Sequence, residues 1–304
     1  MSRQMMGVAM TLCAAIARHA GPSRLRMGPW KACMATVAMG LLAAGGASVA
    51  AATHASALAA TSVDCSTANL QTAIDSASPG DTLRVSGTCD GAFVVSTNLT
   101  IIGPATLDGQ ENGTVLSVAE GATVVVDGLT IQNGCECSAN IAGGGGVLNE
   151  GTLTLENSVV QGSTGLGGGG IFNAVGTLTL ENSTVQNNTA GFTFIGDGGG
   201  GIFNNATLTL ENSTVQDNNA VGNGGGILND VGATLTVDNS SVRGNVADNG
   251  GGIDDSGTLT LENSSIKDNT SLLGEAGGIF IEPAATAPTF ENSSVKGNIP
   301  SDFF

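Results

Sequence analysis

The sequence predicts an all-β fold: a right-handed parallel β-helix of three-strand coils, about 25 residues each, with a short N-terminal capping helix. Three observations carry this reading. Beyond about Gly143 the chain repeats itself, with GGGGIFNAVGTLTLENSTVQNNTA from Gly167 recurring as GGGGIFNNATLTLENSTVQDNNA from Gly198 and GGGIDDSGTLTLENSSIKDNTS from Gly250. Within each repeat apolar and polar residues alternate with period two, the mark of a strand with one buried face. The separators are Gly, Asn, Asp and Ser, which tolerate turn geometry, and no segment between them has a helical period.

Residues 1–60 read as a leader. Ala32 to Ala52 is apolar and small and follows Arg24, Arg26 and Lys31, the plan of a secretory signal with cleavage near residues 50–60. Met27 offers a second start, and Ser48-Val49-Ala50 and Ala57-Leu58-Ala59 offer peptidase sites. The competing reading is an uncleaved anchor, but the stretch is rich in Ala and Gly and poor in Leu. The expected address is therefore extracellular or the bacterial cell surface or outer membrane.

Residues 61–90 read as an N-terminal cap. Leu70, Ala73, Ile74 and Ala77 share one helical face, and Pro79-Gly80 ends the run. A cap is needed because a bare solenoid end exposes core and strand edges. Four cysteines follow the leader and allow three pairings. Cys65 and Cys89 bracket the cap and are the favoured pair, with Cys135 and Cys137 bonded to each other or reduced. A zinc reading of Cys135-Glu136-Cys137 lacks partner ligands, and export favours disulfides.

Residues 91–304 read as the β-helix. Two looser coils come first, Phe93 to Gly103 and Thr114 to Gly134. In the repeats the aliphatic residue after the glycines falls at Val147, Ile171, Ile202, Ile227, Ile253 and Ile279. Stacking places like residues about 4.8 Å apart. Ile171, Leu178, Leu180 and Val185 then point inward onto Ile202, Leu208, Leu210 and Val215. Asn182, Asn212, Asn239, Asn263 and Asn292 form one row, and Asn188, Asn218, Asn245, Asn269 and Asn298 another. Both rows are expected to bond along their length and satisfy turn backbone. The repeat also generates N-x-[ST] matches such as Asn182-Ser183-Thr184 automatically. At the C-terminal end Phe303 and Phe304 are expected to fold over the last coil.

The GG[AG]I motif with Val-x-x-Asn half a coil later, as in Val185-Gln186-Asn187-Asn188, resembles the polymorphic outer membrane protein repeats of bacteria, with Val or Ile where that family has Phe. CSTANLQTAIDSASPGDTLRVSGTC from Cys65 resembles the N-terminal cap of secreted bacterial proteins of the pectin-lyase-like fold. These resemblances imply an exported β-helix. They leave activity open, since the fold hosts lyases, hydrolases and adhesins.

Charge narrows function. His19, His54 and Trp30 lie in the leader, and all 26 acidic residues lie after it. The basic residues from Thr61 onward are Arg84, Arg243, Lys267 and Lys296. Such a body repels nucleic acid and anionic membrane, and it holds no histidine for base or zinc chemistry. The expected role is structural or adhesin-like, with a protein or glycan surface as partner. The alternative is a polysaccharide lyase or glycoside hydrolase.

Four features are candidate sites. Asp254-Asp255 replaces the Phe-Asn or Leu-Asn of other repeats, and paired carboxylates can cleave glycosidic bonds. The pair is similar to the Asp pair of polygalacturonases, but the histidine and Arg-x-Lys motifs of that family have no counterpart. Adjacent strand residues also face opposite ways, so the preferred reading is a solvated turn variant. Second, Phe172, Phe203 and Phe280 stand in an outward apolar row with Leu148 and Leu228, a candidate binding stripe. The plainer reading folds the loop Gly191–Asp197 over it. Third, Thr-x-Thr pairs such as Thr177/Thr179 and Thr207/Thr209 resemble the face of β-helical antifreeze proteins, although Thr is also simply a good outward strand residue. Fourth, acidic turns at Asp217, Asp248 and Asp268 suit weak, dispersed calcium binding, with no defined metal site and no cofactor.

Overall fold

Strand pairing in the computed structural model, which describes residues 60–137, 143–191 and 198–303, is parallel throughout the coils. The expected leader thus lies outside the described residues except for Ala60, as does Phe304.

β1 (Ala60–Asp64) pairs with β2 (Asp81–Asp90), and α1 (Leu70–Ser76) lies between them. Asn69 caps α1 by accepting from the Thr72 amide at 2.9 Å. Leu70 and Ile74 are buried in the core, with Ala73 and Ala77 packed against it. The helix is tied to the first coil by Gln71, whose amide exchanges hydrogen bonds with the Val94 backbone.

β3 (Phe93–Val95), β4 (Leu99–Asp108), β5 (Leu116–Val118) and β6 (Thr123–Gln132) build the two looser coils. From there five coils have four strands each, where three were expected. The first set is β7 (Val147–Asn149), β8 (Thr152–Glu156), β9 (Val159–Gln161) and β10 (Thr164–Gly165). The next is β11 (Ile171–Asn173), β12 (Thr177–Glu181), β13 (Thr184–Gln186) and β14 (Thr189–Ala190). The third is β15 (Ile202–Asn204), β16 (Thr207–Glu211), β17 (Thr214–Gln216) and β18 (Asn219–Ala220). The fourth is β19 (Ile227–Asn229), β20 (Thr234–Asp238), β21 (Ser241–Arg243) and β22 (Val246–Ala247). The fifth is β23 (Ile253–Asp255), β24 (Thr258–Glu262), β25 (Ser265–Lys267) and β26 (Thr270–Ser271). β27 (Ile279–Ile281), β28 (Thr289–Glu291) and β29 (Ser294–Lys296) end the stack.

The unexpected fourth strand is two residues long, too short to show alternation in sequence. Its inward residue is small, and Ala190, Ala220 and Ala247 form a buried cluster of their own. It builds a five-stranded sheet beside an eight-stranded and a 16-stranded one. The largest sheet has two arms because β6 pairs with both β8 and β9. In later coils an Asn splits that long strand in two.

The expected inward residues are all buried, and they pair Ile171 with Ile202, Leu178 with Leu208, Leu180 with Leu210 and Val185 with Val215. The glycine tracts turn tightly beneath this core: a Cβ at Gly168 or Gly199 would collide with the carbonyl oxygen of Ile171 or Ile202.

The two asparagine rows differ in role. Asn188, Asn218, Asn245, Asn269 and Asn298 form a buried ladder as expected. Each Nδ2 donates to the next Oδ1 at 2.9–3.0 Å, and the same oxygen takes the preceding backbone N–H. Asp302 closes the ladder by accepting from Asn298. The Asn182 row does not form such a ladder. Its members have φ of 47–50° and exposed side chains. The left-handed backbone turns the amide outward, so the following serines bond along the stack instead, as when Ser183 N–H donates to Ser213 Oγ at 3.0 Å. Phe303 folds back as expected, with its ring edge-on to Phe290 at 5.6 Å.

Candidate functional site

Asp254 and Asp255 lie in β23, and both are 0% exposed. The expected solvated turn is therefore corrected to a buried strand. Neighbouring coils explain the burial: Asp254 is stacked between Leu228 and Phe280, and Asp255 between Asn229 and Ile281. The two side chains alternate across the strand, one in the outward row and one in the core.

Asp255 ends a third ladder that sequence reasoning missed. Asn149, Asn173 and Asn204 each donate Nδ2 to the next Oδ1 at 2.8 Å, and Asn229 donates to Asp255 Oδ1 at 2.7 Å. The Gly257 amide adds a bond at 3.2 Å, while Asp255 Oδ2 has no hydrogen-bond partner among the described residues. Burial pushes the Asp255 carboxyl above its ordinary value, against the pull of those two bonds. The signal for this ladder was present in the sequence, because an Asn stands two residues after Val147, Ile171, Ile202 and Ile227.

The outward row divides along its length. Phe172 and Phe203 are half-buried and stacked, with ring centroids 4.9 Å apart and planes at 18°. Leu228 and Phe280 are buried at 7% and 8% exposure. Of the loop expected to cover this row, residues 192–197 lie outside the described residues.

The TLTLE strands set three outward rows. Thr177 and Thr179 pair in register with Thr152 and Thr154 and with Thr207 and Thr209. Beside them runs an acidic row: Asp127, Glu156, Glu181, Glu211, Asp238, Glu262 and Glu291 stand opposite one another strand by strand. Glu156 has its carboxyl raised by burial and by Glu181 and Asp127 on either side. This row was missed too, although the fixed acid after each Thr-Leu-Thr-Leu announces it.

The other arm carries a row that changes character. Gln132, Gln161, Gln186 and Gln216 bond amide to amide at 2.7–3.1 Å. Gln132 donates to Asp108, whose carboxyl is held below its ordinary value: burial works to raise it, and bonds from Gln132, the Gln110 amide and Asn133 outweigh that. After Gln216 the row becomes Arg243, Lys267 and Lys296.

Cys65 pairs with Cys89 and Cys135 with Cys137. Among the described residues no group of three or more His, Cys, Asp or Glu side chains is placed to hold a metal ion.

The family described as right handed beta helix region matches residues 146–301. That match is to the β-helix as a class and carries no repeat subtype. No curated protein matches the chain. Among solved structures, an alginate lyase from Paenibacillus sp. str. FPU-7 is similar at 17% identity, covering 79% of this chain and 96% of that one with a TM-score of 0.46.

Proposed function

On the premise that the chain belongs to the right-handed beta helix family, we propose that it is an exported, non-catalytic rod that holds a protein or glycan surface. Export rests on the leader pattern and on the disulfides. The observation that carries the binding role is the Phe172–Phe203 stack, an aromatic pair half-exposed on an outward row. Aromatic rings at a surface supply contact area at low entropic cost.

The enzymatic alternative loses its best candidates to burial. A general acid or nucleophile must touch the glycosidic bond, and Asp254 and Asp255 offer no accessible surface.

The test pairs two assays on the purified protein, with neutral and acidic polysaccharides and immobilised surface proteins. One measures binding, and the other measures new sugar ends. Binding without turnover, weakened by Phe172→Ala with Phe203→Ala, supports the rod. Turnover on any polysaccharide overturns it.

A further inference from the structure

Three of the four basic residues of the mature body occupy one row. Arg243, Lys267 and Lys296 stand directly opposite each other on β21, β25 and β29, exposed or half-exposed. None forms a hydrogen bond or ion pair through its side chain with another described residue. Like charges directly opposite on neighbouring strands are destabilising, so three in succession are costly. Nothing in the fold requires them, because four preceding coils fill the same row with glutamines bonded amide to amide.

The acidic row on the other arm is its counterpart. Glu156, Glu181 and Glu211 make no side-chain hydrogen bond or ion pair with a described residue, and their own coils hold no basic residue. Glu156 is crowded by the carboxylates on both sides. The two rows share one period, since both inherit the strand spacing of about 4.8 Å. A second rod laid alongside the first therefore brings three cations against three carboxylates at once. An isolated surface ion pair contributes little, but three on rigid scaffolds of equal pitch engage together, each raising the effective concentration of the next.

We propose that this protein associates side by side with a second copy of itself, the Arg243–Lys267–Lys296 row of one rod docking on the Glu156–Glu181–Glu211 row of the other. This goes beyond the proposed binding role and does not need it, because the Phe172–Phe203 stack is on a different sheet. A free polyanion is the competing occupant; a second copy, although equally acidic overall, differs from it in presenting its carboxylates at the same strand spacing as the basic row.

The experiment is sedimentation velocity on the full mature chain over a range of concentration and ionic strength. Oligomers at low salt that dissociate as salt is raised are expected. Replacing Arg243, Lys267 and Lys296 together by Gln should abolish association while circular dichroism stays unchanged, since Gln is the residue of the preceding coils. Glu156→Gln with Glu181→Gln and Glu211→Gln should do the same. A copy with the basic row changed to Glu and a copy with Glu156, Glu181 and Glu211 changed to Lys should each fail alone and associate when mixed. A monomer at low salt and high concentration overturns the proposal. So does association that survives either triple variant, or swapped copies that do not pair.

Discussion

Asn229 Nδ2 donates to Asp255 Oδ1 at 2.7 Å inside the core, where every earlier rung of the same ladder is asparagine on asparagine. One rung thus substitutes a carboxylate for an amide without changing shape. The ladder's directional bonding explains why it ends there: Ile281 follows on the next strand and has nothing to accept or donate.

Asp255→Asn should stabilise the protein. It removes a buried charge and keeps the acceptor that Asn229 and Gly257 use. A gain of about 2 kcal/mol at neutral pH is expected, read as a higher Tm. An unchanged or lower Tm would show that the ionised Asp255 is supported by groups beyond those two.

The pH dependence of that gain has a fixed sign. The folded carboxyl of Asp255 lies above its ordinary 3.8, so the folded state binds this proton more tightly than the unfolded chain. The penalty is full above the folded pKa and shrinks as pH falls through it towards 3.8. Asp64, Asp108 and Asp302 are shifted down, and their contribution is lost only at lower pH. The difference in Tm between Asp255→Asn and the parent should therefore be smaller near pH 4 than at pH 7. A difference that widens on acidification would contradict the burial argument.

The two asparagine rows should respond unequally to substitution. Asn218→Ala strands the Asn188 backbone N–H in the core, removes one of the two bonds of Asn188 Nδ2 and takes a donor from the Asn245 Oδ1 and the Val185 carbonyl. A loss of about 3 kcal/mol is expected in denaturant unfolding. Asn212→Gly, at φ 50° and exposed, should cost under about 1 kcal/mol, because glycine accepts the left-handed backbone. Equal losses at both positions would erase the distinction.

The disulfides should also differ. Cys65–Cys89 closes a loop of sequence separation 24 around the cap, and Cys135–Cys137 closes one of separation 2. Loop-closure entropy gives about 3 kcal/mol for the first and about half that for the second. Paired Cys→Ala variants compared by thermal unfolding should show the cap disulfide dominating.

The acidic row predicts a titration shift. Glu181→Gln removes one of the two carboxylates that crowd Glu156. The Glu156 pKa, followed by carboxyl carbon NMR, should fall toward its ordinary value. No movement would mean that burial and Asp127 set it without Glu181.

The sequence made the coil legible because the same alternation is written repeatedly and stacking by identity leaves one register. Thr-Leu-Thr-Leu against Thr-Leu-Thr-Leu admits no one-residue slip without exposing Leu178 and Leu180. The cap helix was legible from the spacing of Leu70, Ala73, Ile74 and Ala77, and the cap disulfide from its bracketing cysteines. The roles of the two asparagine rows were not, since Asn182 and Asn188 are the same residue type and differ only in backbone φ and hence in which way the amide points.

Local pattern by itself determined the three longer strands of each coil, the parallel stack, the buried aliphatics and the acidic surface, because each follows from neighbours within one repeat. The stacking of coils about 25 residues apart in sequence decided the rest. It buried Asp254 between Leu228 and Phe280 and Asp255 beneath Asn229. It also gathered Arg243, Lys267 and Lys296 into one column and the carboxylates into another. Charges scattered along the chain act as rows only when a strand spacing of about 4.8 Å brings them within reach of one another.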